Sequence, residues 1–155
     1  MSPTGGISLR IYGLFATFVS EPTMRSPRIM PTFTLPKAER LHSKRRIDAL
    51  FLGGAAKSFS IYPLRVVYLP LPADSGESTS ILISVSKRRF KHAVDRNRVK
   101  RQLREAYRLH KHLLASASQP VHIAFLYLSE QIVPTQRLMD TMQTALQRLT
   151  EKLSS

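Results

Sequence analysis

SVSKRRFKHAVDRNRVKRQLREAYRLHK, residues 84–111, holds eleven Lys and Arg (Lys87, Arg88, Arg89, Lys91, Arg96, Arg98, Lys100, Arg101, Arg104, Arg108, Lys111) against two acids, Asp95 and Glu105. Charge that dense repels itself unless a polyanion sits against it, and nucleic acid and anionic lipid are the candidates. At the helical step, Val99, Leu103, Ala106 and His110 fall on one side, with Tyr107 at its edge. Arg96, Lys100, Arg104 and Arg108 recur every fourth residue, and Asn97, Arg98 and Arg101 broaden that stripe away from the apolar side. One face can dock on a core while the other meets phosphates. The apolar stripe is narrow and includes a histidine, whereas interfacial helices need a wide face of large apolar residues. Nucleic acid is therefore favoured over lipid and over a merely solvated basic face.

Taken in order, a strand ending in S-V-S-K, a short basic turn and R-N-R-x-K-R-x-x-R-E on a helix resemble the signature of the bacterial ribonuclease P protein component. Lys87, Ala93, Val94, Arg96, Asn97, Arg98, Lys100, Arg101, Arg104 and Glu105 carry the match. R-N-R alone is a weak signal; the ordered set is a strong one. The likeness extends more loosely from about Thr34 to the end, so the chain divides into residues 1–32 and a ribonuclease P protein domain over 33–155.

The resemblance implies an α+β fold, a two-layer α/β sandwich in the order α-β-β-β-α-β-α. Its basic helix would lie in a left-handed βαβ crossover, although right-handed connections dominate elsewhere. It implies a third short strand near Arg88–Lys91, which the residues by themselves do not indicate. It also implies the small subunit of a ribonucleoprotein endonuclease that removes the 5′ leader from precursor tRNA. In that assembly the large RNA, with Mg²⁺, performs the hydrolysis. The protein contributes no catalytic residue and no metal site, and binds the RNA and the leader. Lys87, Arg88, Arg89, Lys91, Arg96, Asn97, Arg98, Lys100, Arg101, Arg104 and Arg108 would face the catalytic RNA. A cleft between the first helix and the sheet would hold the leader, lined by Phe51, Phe59 and Tyr62, since unpaired bases stack on aromatic rings. Core packing is the competing reading for Phe51 and Phe59. Ile47 stands where the family usually carries Phe, which removes one stacking platform.

Composition agrees. A chain of 155 residues can bury one core, and a formal charge of +14 calls for a polyanionic partner. Cysteine is absent, which excludes disulfides, thiolate metal sites and a cysteine nucleophile. No apolar run reaches the length of a membrane span. The expectation is a cytoplasmic, monomeric RNA-binding protein with neither membrane nor DNA as partner. Ile7–Val19 is apolar, but Arg10 interrupts it and no A-x-A-like cleavage site follows. Residues 1–32 read either as a disordered extension or as a start assigned too far upstream, with Met24 and Met30 just before the recognisable domain.

Outside the basic segment, Ser43 is an N-cap candidate for a short helix bearing Ile47, Leu50 and Phe51 and stopped by Gly53-Gly54. Lys44, Arg45 and Arg46 in its first turn oppose the helix dipole, which fits either nearby phosphates or a solvated helix start. Phe59–Leu69 alternates as one strand, with Pro63 marking an edge or bulge. Ser80–Ser86 alternates again, with Ile81, Ile83 and Val85 on one face. The basic helix runs from about Ala93 to Leu114. Val121–Leu128 is a nearly continuous apolar strand, hence central, and after Pro134 comes an amphipathic helix through Leu138, Met142, Ala145 and Leu149.

Two other function classes compete. A protein-borne nuclease site could draw on His42, His92, His110, His112 and His122, but these share no motif, and the ten acids form no D-x-D or E-x-x-H pattern. A ribosomal protein or RNA chaperone would share the charge. A helix-turn-helix DNA binder is disfavoured because the basic helix follows a strand rather than a helix.

Overall fold

The computed structural model describes residues 35–155, and the expectations for residues 1–32 lie outside them. The described residues all belong to one compact unit. Helix α1 covers Lys44–Leu52, and its buried Leu50 with half-buried Ile47 makes the expected apolar face. Ser43 occupies the N-cap position with extended backbone, yet its hydroxyl makes no capping bond; its carbonyl accepts from Ile47 N–H at 3.0 Å. The helix stops at Gly53, whose N–H reaches Ala49 O, and Gly54 follows at φ +72°, a conformation glycine adopts without steric cost.

The run from Phe59 to Leu69 is two strands, not one. β1 (Lys57–Ile61) and β2 (Leu64–Pro70) pair antiparallel with Ile61 opposite Leu64, so Tyr62-Pro63 is the hairpin turn. Pro63 has no N–H to offer a ladder, and the chain reverses there. This hairpin supplies the third strand of the α-β-β-β-α-β-α order. No strand forms at Arg88–Lys91. Ser86 O accepts the N–H groups of Arg89 and Phe90, Ser86 Oγ accepts that of Arg88, and the donors a strand would need are spent in a turn.

β3 (Ser80–Val85) runs parallel to β4 (Val121–Tyr127), and the connection between them contains helix α2 (Ala93–His110) and a 3₁₀ segment, Lys111–Ser116. The sheet order is β1-β2-β4-β3, which makes β4 an interior strand, as its apolar sequence requires. Helix α3 spans Thr135–Ser154.

Alternation along the strands divides the core. On one face Leu64, Val66, Tyr68, Ile81, Val85, Ile123 and Phe125 meet Val99, Leu103, Ala106 and Tyr107 of α2 and Leu138, Met142, Leu146 and Leu149 of α3. This is the two-layer sandwich. On the opposite face Val67 and Ala124 meet Leu41 and Leu50, with Ile47, Leu69, Leu82 and Leu126 around them. Helix α1 covers only part of that face and leaves a groove beside it. The free edge of β3 is covered by the chain at Arg40–Leu41, where Leu41 N–H donates to Ile81 O at 2.8 Å.

Candidate RNA-binding surface

Helix α2 turns its apolar residues to the sheet, so its cations distribute by angle around the rest of the cylinder. Asn97, Arg98, Arg101 and Arg104 are exposed, whereas Arg96, Lys100 and Arg108 are half-buried at the flanks. The exposed four make no hydrogen bond or ion pair with other described residues, which suits a phosphate-binding face. Arg40, at the covered edge of β3, lines the same depression as Arg101, Arg104 and Arg108. Sequence reading missed it because it precedes the first helix and lies far from the motif.

Two of the expected phosphate ligands are otherwise engaged. Arg96 Nη1 donates to Phe90 O at 2.7 Å and to Lys91 O at 2.8 Å, clamping the basic turn to the first turn of α2. Arg108 Nε donates to Glu105 Oε2 at 2.9 Å, and the hydrogen bonds from Arg108 hold the Glu105 carboxyl below the usual carboxylate range. The turn itself is held at three points. Phe90 is buried with its ring 5.9 Å from that of Tyr127, Ser86 collects three N–H groups, and Arg96 grips the far end. Lys87, Arg88, Arg89 and Lys91 are thereby presented on a preformed loop; only Arg89 has an acidic partner among the described residues, Glu130 at 3.9 Å.

The groove beside α1 has a volume of ≈ 310 Å³ and is walled by Leu50 and Phe51 of α1, Ser58 of β1, Arg65 and Val67 of β2, and Leu126 of β4. Arg65 Nη2 donates to Ser58 Oγ at 3.3 Å, placing a guanidinium in the wall. Leu126 also lines a second depression of ≈ 470 Å³ with Ser84, Ser86, Arg88 and Arg89. The two form a track across the open sheet face from Phe51 to the basic turn. Phe51 is 44 % exposed there, as a stacking residue must be.

Phe59 and Tyr62 do not line this track. Phe59 points to the other face of the sheet and packs edge-on against Tyr68 at 6.0 Å. Tyr62 sits at the hairpin tip, 59 % exposed, beneath the Arg137 guanidinium at 5.9 Å. The one-residue alternation of β1 decides this: Ser58 faces the groove, so its neighbour Phe59 cannot. Ile47 lies in the small core under α1 and does not line the groove.

The histidines do not converge. His92 occupies the N-cap position of α2, His110 Nδ1 bonds Ala106 O at 2.8 Å, and His112 Nδ1 bonds Leu109 O at 3.1 Å. His122 is 2 % exposed in β4, with Nε2 3.0 Å from Glu77 Oε2, while Glu77 Oε1 pairs with Arg46 at 3.3 Å. Burial pushes its imidazole below the ordinary histidine value, and the attraction of Glu77 only partly offsets this.

A family model for Ribonuclease P matches residues 35–152. The chain belongs to the ribonuclease P protein family. A ribonuclease P protein component of Porphyromonas gingivalis strain W83 is 43% identical over 136 residues, covering 85% of this chain and 96% of that protein. That of Chlorobaculum tepidum is 34% identical over 105 residues, 62% of this chain and 68% of the relative. Residues 35–155 are 121 of the 155, so 85% coverage carries the likeness to P. gingivalis upstream of Leu35. The solved ribonuclease P protein of Staphylococcus aureus shares the fold at TM-score 0.58 and 20% identity, covering 73% of this chain and 96% of that one. That of Thermotoga maritima does so at TM-score 0.55 and 23% identity, covering 71% and 96%. Membership makes the chain the protein subunit of ribonuclease P, accessory to an endoribonuclease and partnered by RNA, and sets aside the ribosomal and chaperone readings. No helix among the described residues is long and apolar enough to cross a membrane.

Proposed function

We propose that the exposed stripe of α2, with the Ser86–Lys91 turn, binds the catalytic RNA of ribonuclease P, and that the groove beside α1 holds the 5′ leader of precursor tRNA. Hydrolysis belongs to the RNA and its Mg²⁺, with the protein acting as a cytoplasmic monomer. The observation that carries this reading is the placement of the basic turn. Arg88 and Arg89 line one end of the groove track, and the same turn is clamped through Arg96 to the start of α2. A single rigid element thus joins the helix that meets folded RNA to the cleft that fits a single strand. Phe51 offers a ring for stacking and Arg65 a guanidinium for backbone phosphate, the two features that sequence-tolerant single-strand sites combine.

Reconstitution tests it. The chain alone should be inert towards precursor tRNA, and with its ribonuclease P RNA at low Mg²⁺ it should restore 5′-leader removal. Robust cleavage by RNA-free protein, lost on replacing a histidine, would sink the assignment.

A further inference from the structure

Phe59 and Tyr62, expected in the leader groove, sit instead on a second cationic surface. Along α3, Arg137, Thr141, Thr144, Arg148 and Lys152 follow at intervals of three and four and share one side of the helix. Arg137 lies 5.9 Å from the Tyr62 ring and Lys152 Nζ 6.0 Å from the Phe59 ring, so this side of α3 runs along β1. From Arg137 to Lys152 the helix rises about 22 Å. Lys57, on the same face of β1 as Phe59, extends the positive charge past the end of the pair.

Arg137, Arg148, Lys152 and Lys57 are all exposed and make no ion pair with a described residue. Asp140 and Glu151 flank the stripe, and Asp140 already accepts a hydrogen bond from Gln136 at 3.1 Å. The ridge is therefore net positive, with one ring largely open to solvent and another partly so. Cations laid over exposed aromatic rings provide the two interactions a single strand seeks, phosphate neutralisation and base stacking.

Its position says which strand. β1 is the edge of the sheet, with no strand on its outer side among the described residues. Ser58 forms the groove wall and Phe59, the next residue, belongs to the ridge, so one strand's thickness separates the two surfaces. RNA leaving the groove past Ser58 and Arg65 crosses the edge of β1 and arrives at Phe59, Tyr62 and the α3 cations. We infer that the β1–α3 ridge binds the distal part of the precursor tRNA leader, extending the groove track around the free edge of the sheet. This rests on the leader assignment of the groove made above.

The test uses the protein assembled with its ribonuclease P RNA and precursor tRNAs with leaders of about four and about sixteen nucleotides, the two ends of the range of single-strand site sizes. The triple variant Arg137→Gln, Arg148→Gln, Lys152→Gln should weaken binding of the long-leader substrate and leave the short-leader substrate untouched. For the long leader, the slope of log affinity against log salt should fall by about 0.7 for each phosphate no longer neutralised. Tyr62→Ala should lower long-leader affinity roughly five- to a hundredfold, the loss of one stacked base. Thermal denaturation of the free variants should match the unsubstituted chain, because these side chains are exposed.

Equal losses for both leaders, together with weaker binding of the catalytic RNA alone, would assign the ridge to that RNA and overturn the inference. Unchanged binding of both leaders, while Arg98→Gln and Arg101→Gln still weaken RNA assembly, would leave the groove reading standing and reduce the ridge to solvated surface. Failure of the unsubstituted chain to assemble with the RNA would remove both readings together.

Discussion

At the residue scale, the R-N-R motif contains two kinds of arginine. Arg98 projects to solvent, whereas Arg96 spends its guanidinium on the carbonyls of Phe90 and Lys91. Arg96→Gln should therefore release the turn that carries Lys87, Arg88, Arg89 and Lys91. The salt slope of RNA binding should flatten by more than the roughly 0.7–0.9 expected of one neutralised phosphate. Both bonds leave the single nitrogen Nη1; Arg96→Lys keeps the charge, but its shorter stem ends short of the position Nη1 occupies between the two carbonyls, so it should behave like the Gln variant. A Lys variant with wild-type affinity and slope would return Arg96 to the phosphate ligands. His122 makes a second prediction. Its Nδ1 is buried with no hydrogen-bond partner among the described residues, and a proton added there meets no acceptor. The folded-state pKa is lowered from 6.5, so the unfolded chain takes up the proton first. The stability that His122 contributes is full above about pH 6.5 and is lost as the pH falls below it. Glu77 and Arg46 face the ring with opposing effects, Glu77 raising the pKa and Arg46 lowering it. Melting temperature against pH should be flatter between pH 7 and 5 for His122→Gln than for the unsubstituted chain; parallel curves would contradict this.

At the element scale, α2 keeps its buried residues and its exposed cations on separate faces. Arg98, Arg101 and Arg104 lie off the buried stripe, so each change to Gln should weaken RNA binding and reduce the salt slope by roughly 0.7–0.9 with little change in melting temperature. Val99 and Leu103 are wholly buried between helix and sheet. Leu103→Ala should cost about 2–5 kcal/mol of stability, and Val99→Asp should unfold the domain by burying an unpaired charge. Circular dichroism melts beside filter-binding titrations would separate the two classes. Exposed Arg→Gln variants with intact affinity and slope would mean that the stripe is only solvated surface.

At the scale of the whole molecule, one sheet supports two cores of unequal size. Helices α2 and α3 bury the large cluster, while α1 rests on Val67 and Ala124 through Leu41 and Leu50. Native-state hydrogen exchange should show the amides of α1 opening at lower free energy than those of β4, which is paired on both sides. Equal protection would show that the groove wall is as firmly held as the core. Much of this architecture was written locally. Periodicities of two and 3.6 placed β3, β4, α2 and α3 and divided the faces of α2, because local spacing decides which side chains share a side. The motif around Asn97 was legible for the same reason, since its residues lie along one helix. Tertiary structure decided what depends on register and reversal. The hairpin at Tyr62-Pro63 turned one expected strand into two and replaced the strand expected at Arg88–Lys91. A shift of one residue along β1 sends a side chain to the opposite face, which moved Phe59 out of the groove while Ser58 stayed in it. Arg40 and Arg65 joined the basic surfaces only when strand pairing brought distant segments together, and no sequence spacing records that. The bonds from Arg96 to the carbonyls of Phe90 and Lys91 were not legible, because side-chain charge is visible in sequence while its hydrogen-bond partners are not. Sequence alone determined the family, with its RNA partner, and the cationic stripe along α2; the fold determined which of those cations are left unpaired among the described residues.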